Sequence, residues 1–177
     1  AALMVGKGFG KVELKPNNVG MSFIGTSMVW IGATCWHAVL SGEDLRRGGY
    51  AVLNVQIAVS STMMSWFTAR YFSDKRLQMP TVSSALFAIM SGLAGIAPAS
   101  GHVDHTGAFV IGFFTGSACY LACSLKKRVH VDDSLDVFAT HAVGGIVGGV
   151  LTGFLAKKEI GGYNGVLYGN PMQLVYQ

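Results

Sequence analysis

Five stretches of this chain, residues 21–40, 50–71, 81–100, 106–125 and 134–156, keep acidic and basic side chains out of their apolar cores, and few folds accommodate that pattern. A hydrocarbon layer about 30 Å thick is crossed by roughly 20 helical residues, and each stretch has that length. A helix at the edge of a water-soluble core would carry a polar face along its whole length; these do not. Composition agrees, since 51% of the residues are hydrophobic and 12% are charged, about half the charged share of an ordinary soluble domain. The fold expected is an all-α polytopic membrane protein with five transmembrane helices, consecutive ones running antiparallel across short loops.

The ends of the stretches carry helix signals. Asn17 and Asn18 after Pro16 can cap the first helix, Pro80 opens the third, and Asp132, Asp133 and Ser134 cap the fifth. Basic residues set the direction. Lys7, Lys11, Lys15, Arg70, Lys75, Arg76, Lys126, Lys127 and Arg128 fall on one side, and only Arg46, Arg47, Lys157 and Lys158 on the other. The first group is expected in the cytoplasm. The odd-numbered helices then run outward. The chain begins with Ala1 rather than Met and ends on a polar segment, 164–177, left outside. It is therefore expected to be part of a longer protein.

Several function classes drop out. The pI of about 9.1 comes from basic residues scattered over short loops, which suits anchoring at a membrane face and not nucleic acid. Neither a nucleophile elbow nor an intramembrane carboxylate pair nor a nucleotide loop is present, so no enzyme is expected. Cys35, Cys119 and Cys123 lie in apolar stretches and read as small apolar residues. No metal or cofactor is expected. His102, Asp104 and His105 read as solvated turn residues. His37 and His141 differ in depth by about 14 Å at 1.5 Å per residue, too far to share one haem iron.

Glycine carries the packing argument. Gly112 and Gly116 lie in the fourth stretch, and Gly144, Gly145, Gly148, Gly149 and Gly153 in the fifth. Spacing by four places small residues on one helix face, where backbones approach closely in lipid. Helices four and five are therefore expected to be tightly packed central elements. His141 falls on that glycine face and so points toward protein or a pore. It is either a pore imidazole or a neutral histidine bonded to a neighbouring helix. His37 beside Trp36 reads as a headgroup-level anchor, with a cation-attracting vestibule as the alternative. Asp136 sits where a helix N-terminus stabilises a carboxylate, which suits capping and fold support. Asn54 reads as interhelical glue.

The run from Asp132 through Asp136, Val137, Phe138, Thr140 and His141 to Gly144, Gly145, Gly148 and Gly149, followed by Thr152 and Gly153, resembles the tenth helix of the Amt/Mep/Rh ammonium transporters. Residues 91–101, with Pro98 and Gly101, resemble the end of their eighth helix. Pro16 with its two asparagines, and residues 30–38 with Trp36 and His37, resemble the sixth. The resemblance implies one half of an inverted-repeat ammonium channel fold, helices six to ten, with the first half and the final helix absent. It implies a homotrimer in the plasma membrane, ammonium or ammonia as the transported species, and His141 as the second of two paired pore histidines. The other pore residues implied are Trp36, where the family has the Phe of its outer gate, and His37, where it has Asn. Leu40 stands where many members have a Ser.

The function expected is transmembrane conduction of ammonium or ammonia through a hydrophobic pore lined by His141. The alternative is a non-conducting fragment, or a regulatory or sensor homologue, that packs with other membrane subunits.

Overall fold

The computed structural model describes residues 18–42, 44–73, 81–129, 133 and 135–176. Among these the chain is helical, with no strand: α1 (Val19–Leu40), α2 (Leu45–Ser73), α3 (Val82–Ile96), α4 (His105–Val129) and α5 (Phe138–Leu155), then the short α6 (Lys158–Gly161), a 3₁₀ turn (Val166–Tyr168) and the short α7 (Gln173–Tyr176). In α5 a π-helical turn, Phe138–Ala142, runs into the regular helix Val143–Leu155. The segments of α1, α4 and α5 at Val19–Leu40, His105–Lys126 and Phe138–Leu155 are long and apolar enough to cross a membrane.

Local chemistry explains the boundaries. Asn18 Oδ1 accepts from the Met21 amide at 3.1 Å and caps α1; Pro16 and Asn17 lie outside the described residues. Helix α2 starts at Leu45, five residues before the expected start, because Asp44 Oδ1 accepts from the amides of Arg46 and Arg47 at 3.0 and 3.3 Å. Thr81 caps α3 through the Ser84 amide at 3.3 Å, and Pro80 lies outside the described residues. Helix α3 ends at Ile96, short of the expected residue 100. Pro98 has no amide to extend the ladder, and the chain turns, with Ala99 N donating to Ile96 O at 2.9 Å and His102 N to Ala99 O at 2.8 Å. At the start of α5, Asp133 Oδ1 and Oδ2 accept from the amides of Val137 and Phe138 at 3.1 and 2.9 Å; Asp132 and Ser134 lie outside the described residues.

Helix α4 is central, as expected, but the helix that shares the centre with it is α2 and not α5. The closest partner of α2 is α4, and α2 also packs on α1 and α3. Gly112 and Gly116 of α4 lie so close to α2 that a Cβ on either would overlap the side chain or backbone of Ala58, Ser61, Thr62 or Ser65. Thr62 is fully buried at this crossing and donates across it to Gly112 O at 2.9 Å. In lipid such close approach supplies dispersion and short polar contacts in place of a hydrophobic drive. The apolar core is built from Val55 and Val59 of α2, Leu93 and Ile96 of α3, and Ala108 and Ile111 of α4. Helix α5 packs on α3 and α4, and it also meets the 3₁₀ turn and α7. At that contact a Cβ on Gly148 would fall on the backbone of Gly95, so the two helices meet backbone to backbone.

Candidate functional site

The glycines of α5 divide into two faces. Gly144, Gly148 and Thr152 are buried against the other helices, together with Thr140. A Cβ added to Gly145 or Gly149 meets nothing within 4 Å. His141 is exposed and lies with the second set, four and eight residues before those two glycines. This corrects the expectation of a single glycine face that includes His141. The cause is the π turn, closed by the Val143 amide donating to Phe138 O. A wider turn advances each residue by less than the roughly 100° of an α-helix. The imidazole is thereby displaced from the packed stripe of Gly144 and Gly148 toward the open side, where Phe138 is also 63% exposed.

The segment before the turn is tightly held. Asp136 adopts a left-handed backbone, φ 54°, uncommon for a residue with a Cβ. Its carbonyl accepts from both the amide and the hydroxyl of Thr140, at 2.9 and 2.8 Å. Its carboxylate pairs with Lys126 from the end of α4. The helix amides are capped by Asp133 and not by Asp136, so Asp136 acts as an ion-paired corner. Behind the turn, the buried Cys119 thiol faces Thr140 O at 3.9 Å.

On α1, neighbouring side chains diverge. Trp36 is 62% exposed, whereas His37 is 7% exposed, so the imidazole turns inward. His37, expected as a headgroup-level anchor beside Trp36, is instead buried. Ser41 Oγ donates to His37 O at 3.0 Å. Helix α1 packs on α2 and α3, whereas α5 packs on α3 and α4. Among the described residues no hydrogen bond or ring contact joins Trp36 or His37 to His141. A shallow cleft of about 350 Å³ opens between α1 and α2, lined by Trp30, Thr34, Cys35 and Gln56 among others, and His141 is not among its walls.

A third cluster lies where the turns 97–104 and 156–170 meet. Asn54 is fully buried. Its Nδ2 donates to Ser100 O and Val103 O, both at 2.8 Å. Its Oδ1 lies 2.9 Å from His105 Nδ1, which therefore donates. His105 stacks on Tyr50 at 5.0 Å. Lys157 Nζ pairs with Asp104 Oδ2 at 2.6 Å and stands 5.1 Å from the centre of the Tyr168 ring. Arg47 reaches Gly101 O and His102. His102, Asp104 and His105, expected as solvated turn residues, are each bonded to another element, with His102 and Asp104 half-buried and His105 exposed. Among the described residues no group of three potential metal ligands converges. Burial raises the proton affinity of Asp104, but the bond from Lys157 and that from the Gly107 amide outweigh it and hold its pKa below the usual value. Sequence spacing gave no signal for Arg47 with His102 or Lys157 with Asp104, partners more than fifty residues apart.

Residues 1–177 match the Ammonium Transporter Family. The chain is 36% identical over 180 residues to the ammonium transporter Amt1 of Archaeoglobus fulgidus, taking in 99% of this chain and 44% of that protein. It is 34% identical over 151 residues to the ammonium transporter MEP2 of Saccharomyces cerevisiae, taking in 85% of this chain and 30% of that protein. The fold superposes on the crystal structure of Saccharomyces cerevisiae Mep2 with a TM-score of 0.83 at 30% identity, over 99% of this chain and 41% of that one. The chain thus spans less than half the length of these relatives. With its apolar helices and a match that runs from end to end, it belongs to the ammonium transporter family as part of a multi-pass membrane protein.

Proposed function

We propose that this chain forms the second helical half of an ammonium conductor, and that His141 lines the pathway. The observation that carries the reading is the open face of α5. An imidazole stands exposed on a helix apolar enough to cross a bilayer, and Gly145 and Gly149 leave room beside it. A polar side chain facing lipid at that depth is unfavourable, so the face is covered by protein or lines a conduit. A neutral imidazole both donates and accepts hydrogen bonds, so it can pass ammonia along a narrow apolar path or relay the proton that ammonium gives up. A bare cation in mid-membrane costs several kcal/mol, and releasing that proton removes the charge that makes the crossing expensive.

Entry is assigned to the end of α1. The exposed Trp36 ring offers a cation a π face, His37 stands behind it, and Leu40 supplies no hydroxyl. The opposite wall of the conduit comes from the part of the protein outside this chain, and the assembly is a homotrimer in the plasma membrane. The test is ammonium flux into liposomes carrying the full-length protein. His141→Ala should lower flux or relax selectivity over potassium. Unchanged flux with unchanged selectivity removes His141 from the pathway.

A further inference from the structure

The imidazole of His37 is buried without a partner. The side chain is 7% exposed, and among the described residues neither ring nitrogen makes a hydrogen bond, an ion pair or a ring contact. A buried polar group left unpaired destabilises a protein unless something else bonds it. The polar atoms sealed from the surface without a partner lie elsewhere, on Trp30 and Thr115 among others, so the exposed part of His37 includes its ring nitrogens. Where they open follows from the helix. At about 100° per residue, His37 stands roughly 60° from Leu40 to one side and roughly 40° from Ser41 to the other. Ser41 faces the packed side, its Oγ lying 3.3 Å from where a Cβ on Gly101 would stand. Trp36 and Leu40 are 62% and 60% exposed and carry the open side. The ring of His37 thus sits at the border between the packed helices and the proposed entry.

We propose that His37 is the residue by which this chain tells ammonium from potassium: its bare ring nitrogen accepts an N–H of the cation that Trp36 attracts at the mouth of the conduit. The role rests on the reading of α1 as the entry. In a neutral imidazole one nitrogen carries the proton and the other an open lone pair, whichever tautomer is present. Ammonium is a donor on every side, whereas potassium, of similar size and equal charge, has no hydrogen to give. A π face attracts a cation by its charge, so Trp36 concentrates both ions without sorting them. Sorting needs a directional acceptor, and Leu40 has none. The Ser41 hydroxyl lies on the packed side and donates to His37 O at 3.0 Å. Asp44 and Asp104, carboxylates of the same end of the bundle, are engaged, the first by the amides of Arg46 and Arg47 and the second by Lys157. The open nitrogen of His37 has no such commitment.

The experiment uses the full-length protein in liposomes. Deuterium exchange at the imidazole carbon of His37, read by mass spectrometry, proceeds through the protonated ring. Ammonium held on the bare nitrogen keeps that proton off, so exchange should be several-fold slower in ammonium chloride than in potassium chloride at the same pH and ionic strength. In flux, His37→Leu should cut the preference for ammonium over potassium by about tenfold or more, the usual weight of a hydrogen bond to a charged group. His37→Gln keeps an acceptor and should cut it less. Equal exchange in the two salts overturns the proposal, whether fast, with the nitrogen empty, or slow, with it bonded by the rest of the protein. Equal losses in the two variants overturn it as well. The exchange comparison needs no variant, so it decides even where a substitution does not fold. Failure of the conduction reading shows separately, as unchanged flux and selectivity in His141→Ala, and leaves the exchange at His37 as it was.

Discussion

At Gly148 the absence of a single methyl group lets two helices touch backbone to backbone. A Cβ there would lie on Gly95, and no side chain can rotate away to make room. Gly148→Ala should therefore destabilise the protein by about 1–3 kcal/mol, the usual range for overpacking a close contact. Gly149→Ala, one residue on but facing open space, should shift stability by less than about 1 kcal/mol. Unfolding the two variants in the same detergent checks this, and equal losses would contradict the two-faced description of α5. At the far end, the Asp104–Lys157 pair is about two-thirds shielded, and such pairs are worth about 0.2–1 kcal/mol. The pKa of Asp104 is depressed in the folded state, so this contribution is present above the ordinary carboxylate value of 3.8 and lost as pH falls through the lowered one. Asp104→Asn should remove that loss, which a stability profile against pH checks.

Among the elements, α5 shows what sequence periodicity conveys and what it hides. The apolar length of the helix and its glycine spacing are plain in residues 137–155. A wheel drawn at 3.6 residues per turn places His141 among Gly144 and Gly148, and only the π turn moves it to the side of Gly145 and Gly149. Nothing in Phe138–Ala142 signals a wider turn, because it is imposed by the corner before it and the helices behind it. The start of α2 was hidden for a different reason. Arg46, Arg47, Gly48 and Gly49 look like loop, yet Asp44 caps their amides and the helix begins there. The corner at Asp136 can be tested directly. A left-handed backbone costs a residue with a Cβ about 1–2 kcal/mol, and glycine nothing. Asp136→Gly and Asp136→Ala both lose the Lys126 pair, so Asp136→Ala should be less stable than Asp136→Gly by about that amount. Modification of His141 by an imidazole-directed reagent should change in Asp136→Ala and be retained in Asp136→Gly. Identical behaviour of the two variants would mean that the carboxylate alone, and not the backbone, sets the turn.

For the molecule as a whole, the unequal covering of its helices is what calls for explanation. Helix α2 is buried along one face, while α1 exposes Met21, Phe23, Ile24, Met28, Val29 and Ile31, and α5 exposes Phe138, Ile146 and Val150 beside His141. Lipid can cover the apolar side chains, since acyl tails are as apolar as they are. It cannot satisfy the imidazole, which needs a polar partner or water. On the proposed reading, a polar group on an otherwise apolar open face marks the side on which the opposite wall of the conduit would lie, and the chain's coverage of 44% of Amt1 is compatible with further sequence supplying it. The consequence is measurable. Residues 1–177 reconstituted alone should insert into liposomes and give no ammonium flux above that of protein-free vesicles, because a conduit with one wall is not sealed from lipid. Adding the preceding part of the protein as a separate chain should restore flux and, in the same samples, shield His141 from a lipid-soluble imidazole reagent. Flux from the isolated segment would contradict the two-walled conduit, and restored flux with His141 still open to the lipid phase would place the pathway elsewhere in the bundle.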